Sequence, residues 1–226
     1  MELTSIGKVN NYSVVLDGTY NYFKDGTITV SYTWNDTKDN TSFNGNVANS
    51  ATLSQAVIND PRDLSMVTYS SNQFRHKLVA YGNLPTFYGV QVGVRYTGIG
   101  GTRYSLLAGA NTSGDFGGAA NNLAYIFDYT NPNTPQNIRT GLQAILDNPE
   151  ASQSMKNYIE EYKGTFAERN GGINGFYGTV DVRLATNIKI FRSHSVELSG
   201  EIFNFMNMLN KEWGVMHNLG SQALYA

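Results

Sequence analysis

The sequence predicts an all-β protein: six long antiparallel strands in three hairpins, part of a transmembrane β-barrel, with long loops and one pair of short helices. Three observations predict it. Five runs alternate apolar and polar residues, the signature of strands with one greasy and one wet face, and a sixth is strand-like, each roughly 10–13 residues long. Soluble strands average about 5–6 residues, whereas a tilted strand crossing a bilayer needs about 9–11. Short turns (24–27, 84–88, 191–194) alternate with long excursions (36–73, 98–175, 208–226), and a rim of tight turns opposite a rim of long loops is the habit of outer-membrane barrels. Aromatic residues also gather at the strand ends: Tyr20, Tyr22, Phe87, Tyr88 and Phe191 by the turns, Trp34, Tyr96, Phe176 and Tyr177 by the loops, as two interfacial girdles would.

In chain order, the first strand covers Asn11 to Phe23, with Tyr12, Val14, Leu16, Tyr20 and Tyr22 opposite Ser13, Asp17, Thr19 and Asn21. Asp25-Gly26 then signals a two-residue type I′ turn. Residues 27–35, TITVSYTWN, alternate without a lapse: Ile28, Val30, Tyr32 and Trp34 on one face, Thr27, Thr29, Ser31, Thr33 and Asn35 on the other. Phe74 to Leu84 reads as a strand whose faces the pattern does not assign. A turn around Pro85-Thr86-Phe87 leads to Val90, Val92, Val94 and Tyr96, alternating with Gln91, Gly93, Arg95 and Thr97. Val180, Val182 and Leu184 alternate with Thr179, Asp181 and Arg183, the pattern reaching Ile190 with a lapse at Ala185-Thr186. After a turn at Arg192-Ser193, Val196, Leu198 and Ile202 alternate with Ser195, Glu197, Ser199 and Glu201.

The second excursion carries helical spacing. Thr134-Pro135 reads as an N-cap followed by proline at the first helical position, ahead of Ile138, Leu142, Ile145 and Leu146. Asn148-Pro149 starts a second helix, with Met155, Tyr158, Ile159 and Tyr162 on one face and Gly164 as its stop. These helices read as a hairpin packed on its own loop, in preference to a ligand-gripping lid. The glycine-rich stretch Gly98 to Arg103 lacks the GK[ST] ending of a phosphate loop and reads as the flexible start of an excursion. Asn111 to Asn122 has only Asp115 as an acidic residue, without the regular spacing of a calcium loop.

Composition removes several classes of function. The 226 residues include no cysteine, which excludes disulfide scaffolds, cysteine-ligated metals and thiol nucleophiles. A net charge of −2 gives no basic field for nucleic acid. Charged residues make up only 15% of the chain, and its polarity comes from 26 Asn with 23 Gly and 15 Tyr. No apolar run is long enough for a transmembrane helix, and Met1 to Lys24 has no secretory leader pattern. No convergent acid–base or metal-ligating set stands out, so neither an enzyme nor a cofactor is expected. The candidate functional residues are those of the polar strand faces, which in a barrel line the lumen: Ser31, Gln91, Arg95, Asp181, Arg183, Glu197 and Glu201. Mixed charges there guide a solute, contact a plug, or neutralise one another as salt bridges.

The run Asp181-Val182-Arg183-Leu184, followed by a strand that ends Phe203-Asn204-x-x-Asn207-x-x-Asn210, resembles the C-terminal end of TonB-dependent outer-membrane receptors of the Oar-like, carboxypeptidase-regulatory-like group. Asn121 to Ile126 (NNLAYI) is similar to that group's NDLAYI segment, with Asn122 where Asp is usual, and Phe74-Arg75-His76-Lys77 also resembles it. The resemblance covers roughly residues 11–216. It implies a Gram-negative outer-membrane barrel closed around a plug, importing a large solute with energy passed by TonB. Its partners would be outer-membrane lipid, the plug, TonB and the solute. On that reading residues 1–226 are a C-terminal portion of a receptor barrel, without the signal peptide, plug and closing strand, and inactive alone. The alternative is a soluble or cell-surface β-rich domain whose loops bind carbohydrate or protein.

Overall fold

The computed structural model describes residues 6–41, 55–60, 63–114 and 121–225. Six long strands form one antiparallel sheet: β1 (Val9–Tyr22), β2 (Gly26–Asp39), β4 (His76–Asn83), β5 (Val90–Gly100), β11 (Tyr177–Phe191) and β12 (His194–Ile202), hydrogen-bonded in that order. The short β3 (Thr68–Tyr69) extends the sheet beside the end of β2. Every long strand pairs with its successor, and β1 and β12 form two open edges. The fold is therefore all-β with an open antiparallel meander.

The registers join the period-two faces into two continuous surfaces. Leu16 lies opposite Tyr32, Val30 opposite Ala80, Ala80 opposite Tyr96, and Tyr96 opposite Val180. Val94 faces Val182, which faces Ile202. One surface thus carries Val14, Leu16, Ile28, Val30, Val92, Val94, Val182, Leu184, Val196, Leu198 and Ile202. The other carries Asp17, Ser31, Thr29, Lys77, Arg95, Asp181, Arg183 and Glu201, since Asp17 faces Ser31, Arg95 faces Asp181 and Arg183 faces Glu201. The same registers assign the faces of β4. Lys77, Val79, Tyr81 and Asn83 join the polar surface; the two apolar side chains among them blurred the alternation in the sequence.

The turns depart from expectation in detail. The first hairpin closes through Phe23, Lys24 and Asp25, with Tyr22 paired to Gly26 and the left-handed φ of +53° at Phe23. Gly26 is needed because a Cβ there would lie 2.6 Å from the Tyr22 ring. The second hairpin turns at Tyr88-Gly89, beyond the expected Pro85-Thr86-Phe87. Phe87 and Val90 exchange backbone hydrogen bonds, and the φ values of +48° and +79° between them are those of a type I′ turn. The third turns at Arg192-Ser193 as expected. The lapse at Ala185-Thr186 does not break β11: both residues pair with β5 and β12, and the Thr186 hydroxyl donates to the Gly89 carbonyl at 2.9 Å.

The core lies elsewhere. Within the excursions are β6 (Arg103–Tyr104), β7 (Leu106–Leu107), β8 (Tyr125–Ile126), α1 (Gln136–Asp147), α2 (Gln153–Glu161), β9 (Thr165–Phe166), β10 (Gly172–Ile173) and β13 (Gln222–Ala223). Tyr104, Leu106, Ala124, Ile126, Leu142, Tyr158, Ile159 and Ala167 pack there as one buried cluster. Among the described residues, Ala185 is the only buried hydrophobic residue of the six long strands. The helices pack on their own loop through Leu142, Tyr158 and Ile159, as expected.

Both helices start later than expected. Thr134 does not cap α1; its hydroxyl donates to the Asp128 carbonyl. The second helix is capped by Ser152, whose Oγ accepts the Met155 N–H at 3.1 Å, and Asn148-Pro149 forms a preceding turn. Gly164 follows α2 at φ +81°. Gly98 and Gly100 belong to β5 rather than to a flexible loop, and a Cβ at Gly98 would lie 2.4 Å from the Phe176 ring. Asp115 lies outside the described residues.

Candidate functional site

The polar surface of the sheet is hollowed. A cavity of about 310 Å³ opens there, lined from five successive strands by groups that include Thr27, Asn83, Arg95, Asp181, Arg183 and Glu201. Because the cavity lies on the polar side, that side is the concave one and the apolar surface the convex one. Strands pack closely at its wall: a Cβ at Gly82 would lie 2.1 Å from the Thr27 carbonyl oxygen, so only glycine fits that approach of β4 to β2.

All seven expected polar-face residues share this concave surface, but the cavity gathers four of them: Arg95, Asp181, Arg183 and Glu201. Ser31, between Asp17 and Val79, and Gln91, beside Ala185, stand apart from it. Glu197 reaches the site through Arg183, whose Nη2 donates to its Oε1. Arg183 Nε donates to Glu201 Oε1 at 3.2 Å. One guanidinium thus bridges two carboxylates of β12, with all three side chains 40–48% exposed. Pairs so exposed contribute about 0–1 kcal/mol each, so they set local charge more than stability.

Asp181 is spoken for as well. Its Oδ1 accepts the backbone N–H of Asn204 at 2.9 Å. Arg95 lies directly opposite Asp181 in register but forms no ion pair with any described residue. Its guanidinium is the charge left to meet whatever enters the cavity. Tyr81, Asn83 and Phe203 complete the wall. Tyr81 and Asn83 were not legible in the sequence because β4 had no assignable face.

The asparagine motif builds a turn. Asn204 sits in the left-handed region at φ +51° and leads into α3 (Phe205–Leu209). Its Nδ2 donates to the Gly214 carbonyl at 3.1 Å, and Asn207 Nδ2 donates to the carbonyls of Lys211 (2.9 Å) and Trp213 (3.2 Å). Asn210 Oδ1 accepts the Glu212 N–H at 2.9 Å. Asparagine recurs every third position because its short amide can satisfy backbone groups that a tight turn strands. Phe203 lines the cavity, and the hydrogen bond from Asn204 to Asp181 ties this turn to the site. The other motif segment, Asn121 to Ile126, threads the core of the excursions, where Leu123 and Ala124 donate to the carbonyls of Val57 and Leu106.

Above the cavity, the excursions are pinned to the sheet by Arg169. Its Nη2 lies 3.1 Å from Asp39 Oδ1 and also donates to the Asp39 carbonyl, while Nε donates to Thr68 Oγ1 at 3.0 Å. Burial pushes the Arg169 pKa down, and the Asp39 carboxylate opposes that shift. Among the described residues, no three His, Cys, Asp or Glu side chains come together in a way that could hold a metal ion. The site offers charge, hydrogen-bonding groups and the rings of Tyr81 and Phe203. No protein-family model, curated protein or solved structure matches this chain.

Proposed function

We propose that the sheet is an arc of an outer-membrane β-barrel of the TonB-dependent receptor kind, its convex face against lipid and its concave face lining the path of a large solute. One observation carries the reading. The convex surface is apolar across all six strands, yet nothing in the described structure covers it: Leu16 and Leu198 are each 64% exposed, and Val14, Leu184 and Ile188 about half. A soluble domain buries such a face against a second layer. Here the buried cluster sits in the excursions, so the sheet's apolar face is left for a non-aqueous solvent. The Asp181-to-Leu184 and Phe203-to-Asn210 motifs, now joined through Asp181 and Asn204, support the receptor assignment. Lipid, a plug, TonB and the solute are the partners this reading names.

Substitution by arginine on the two faces tests it. In chains refolded into lipid vesicles, Val92→Arg should cost about 2–4 kcal/mol near mid-bilayer, and Gln91→Arg close to nothing. Equal costs at the two sites would remove the reading.

A cell-surface binding domain is the second reading, and the separately packed core of the excursions favours it, because that core needs no bilayer. It predicts a monomer that unfolds cooperatively in detergent-free buffer.

A further inference from the structure

On the convex face, β2 changes character toward the long-loop rim. Ile28 and Val30 give way to Tyr32 and Trp34, and then to Asp36 and Lys38. Tyr69 of β3 lies opposite Lys38 in register and so shares this face. Three cations converge on that tyrosine. The Arg103 guanidinium carbon is 3.6 Å from the ring centre, Lys38 Nζ 4.8 Å, and the Arg75 guanidinium carbon 5.7 Å. Arg75 also lies 5.8 Å from the Trp34 ring.

One carboxylate answers them. Asp36 Oδ1 is 3.0 Å from Arg75 Nη1. Lys38 and Arg103 form no ion pair with any described residue, so the cluster holds two positive charges beyond what Asp36 balances. The Tyr69 ring orients them without neutralising them. Arg103 is the more telling. Its Nε is buried with no hydrogen-bond partner. Burial lowers its pKa most, Arg75 adds to that, and Tyr69 and Asp36 pull the other way. A bound anion beside the guanidinium would offset that cost of burial.

Position says which anion. Tryptophan and tyrosine sit at the membrane–water interface. Lys38 follows Trp34 by four residues, about 13 Å further along the strand. On the reading that the convex face meets lipid, on which this inference rests, the cluster stands in the headgroup layer, outside the lumen. We propose that Lys38, Arg75 and Arg103 form a site for a phosphate-bearing lipid headgroup of the leaflet on the long-loop side. Guanidinium forks match phosphate oxygens in pairs. The acyl chains of the same lipid would lie along Tyr32 and Val30, which free phosphate cannot exploit.

The test compares partition of the refolded full chain into vesicles of phosphatidylcholine with and without phosphatidic acid. The wild-type chain should prefer the phosphatidic acid vesicles, and the K38Q/R103Q double variant should lose about fivefold of that preference for each cation removed. A K156Q/K163Q variant carries the same charge change on α2 and the turn after it and should keep the preference. Inorganic phosphate, added against chloride at matched ionic strength, should leave the preference in place. Three results would overturn the proposal: an unchanged preference in K38Q/R103Q, an equal loss in K156Q/K163Q, or abolition by inorganic phosphate, which would assign the site to the free ion. Failure of the wild-type chain to enter phosphatidylcholine vesicles at all would instead remove the membrane reading, and this site with it.

Discussion

The carboxylate of Asp181, on the strand next to the β12 edge, accepts the backbone N–H of Asn204 at 2.9 Å, so a strand residue 23 positions earlier in the chain fixes where the asparagine turn begins. Asp181→Ala should therefore loosen the turn after β12 and lower stability by about 1–2 kcal/mol. Asp181→Asn retains an acceptor and should cost less. Denaturant unfolding in detergent measures both. If Asp181 served only to line the cavity, the two variants would unfold like the parent.

Much of this fold is legible in the sequence because period-two alternation depends only on which residues meet which solvent. Ile28 to Trp34 could hardly be read otherwise. Legibility failed where tertiary partners intervened. Val79 and Tyr81 put apolar groups on the polar face of β4, and only the register with β2 and β5 resolves them. Thr186 interrupts the apolar face because its hydroxyl meets Gly89 of another hairpin. The site was half legible. The charged residues of β11 and β12 were found, but their pairing through Arg183 and the capture of Asp181 by Asn204 depend on three-dimensional placement.

Ser152 illustrates the same lesson at a helix end and can be tested there. Its Oγ caps α2, so Ser152→Ala should cost about 1 kcal/mol and speed amide exchange in the first turn of that helix. Thr134→Ala should leave the first turn of α1 unaffected as a cap, because Thr134 donates back to Asp128 instead.

Arg169 ties the excursions to β2 and β3 with both its Nε and its Nη2. Arg169→Met leaves the Asp39 carboxylate buried with one cation fewer and should destabilise by about 3–5 kcal/mol. The double variant Arg169→Met/Asp39→Asn should recover part of that loss, as a double-mutant cycle would reveal. Arg169→Lys should not rescue, because one ammonium cannot reproduce the fork that reaches Thr68 and Asp39 together.

At the opposite rim, Asp25 Oδ2 accepts the Thr86 N–H at 2.9 Å, which links the first two hairpin turns. Hydrogen bonding from the Thr86 side chain, and then from this N–H, lowers the Asp25 pKa. A carboxylate depressed by folding stabilises the structure above its unfolded pKa, and this contribution disappears as pH falls through the lower folded value. Thr86 should thus stay protected from amide exchange at neutral pH and lose protection on acidification. Asp25→Asn should remove the pH dependence.

The central claim is that the two faces of one sheet meet different solvents, and a chain without cysteine allows that to be measured residue by residue. Single cysteines placed from Thr27 to Trp34 would carry spin labels in the vesicle-refolded protein, and each label's collisions with oxygen and with a water-soluble nickel chelate would be recorded. Labels at Ile28, Val30 and Tyr32 should favour oxygen, and those at Thr27, Thr29, Ser31 and Thr33 the nickel chelate, in strict alternation. Nickel access on both faces, with no alternation, would contradict the account.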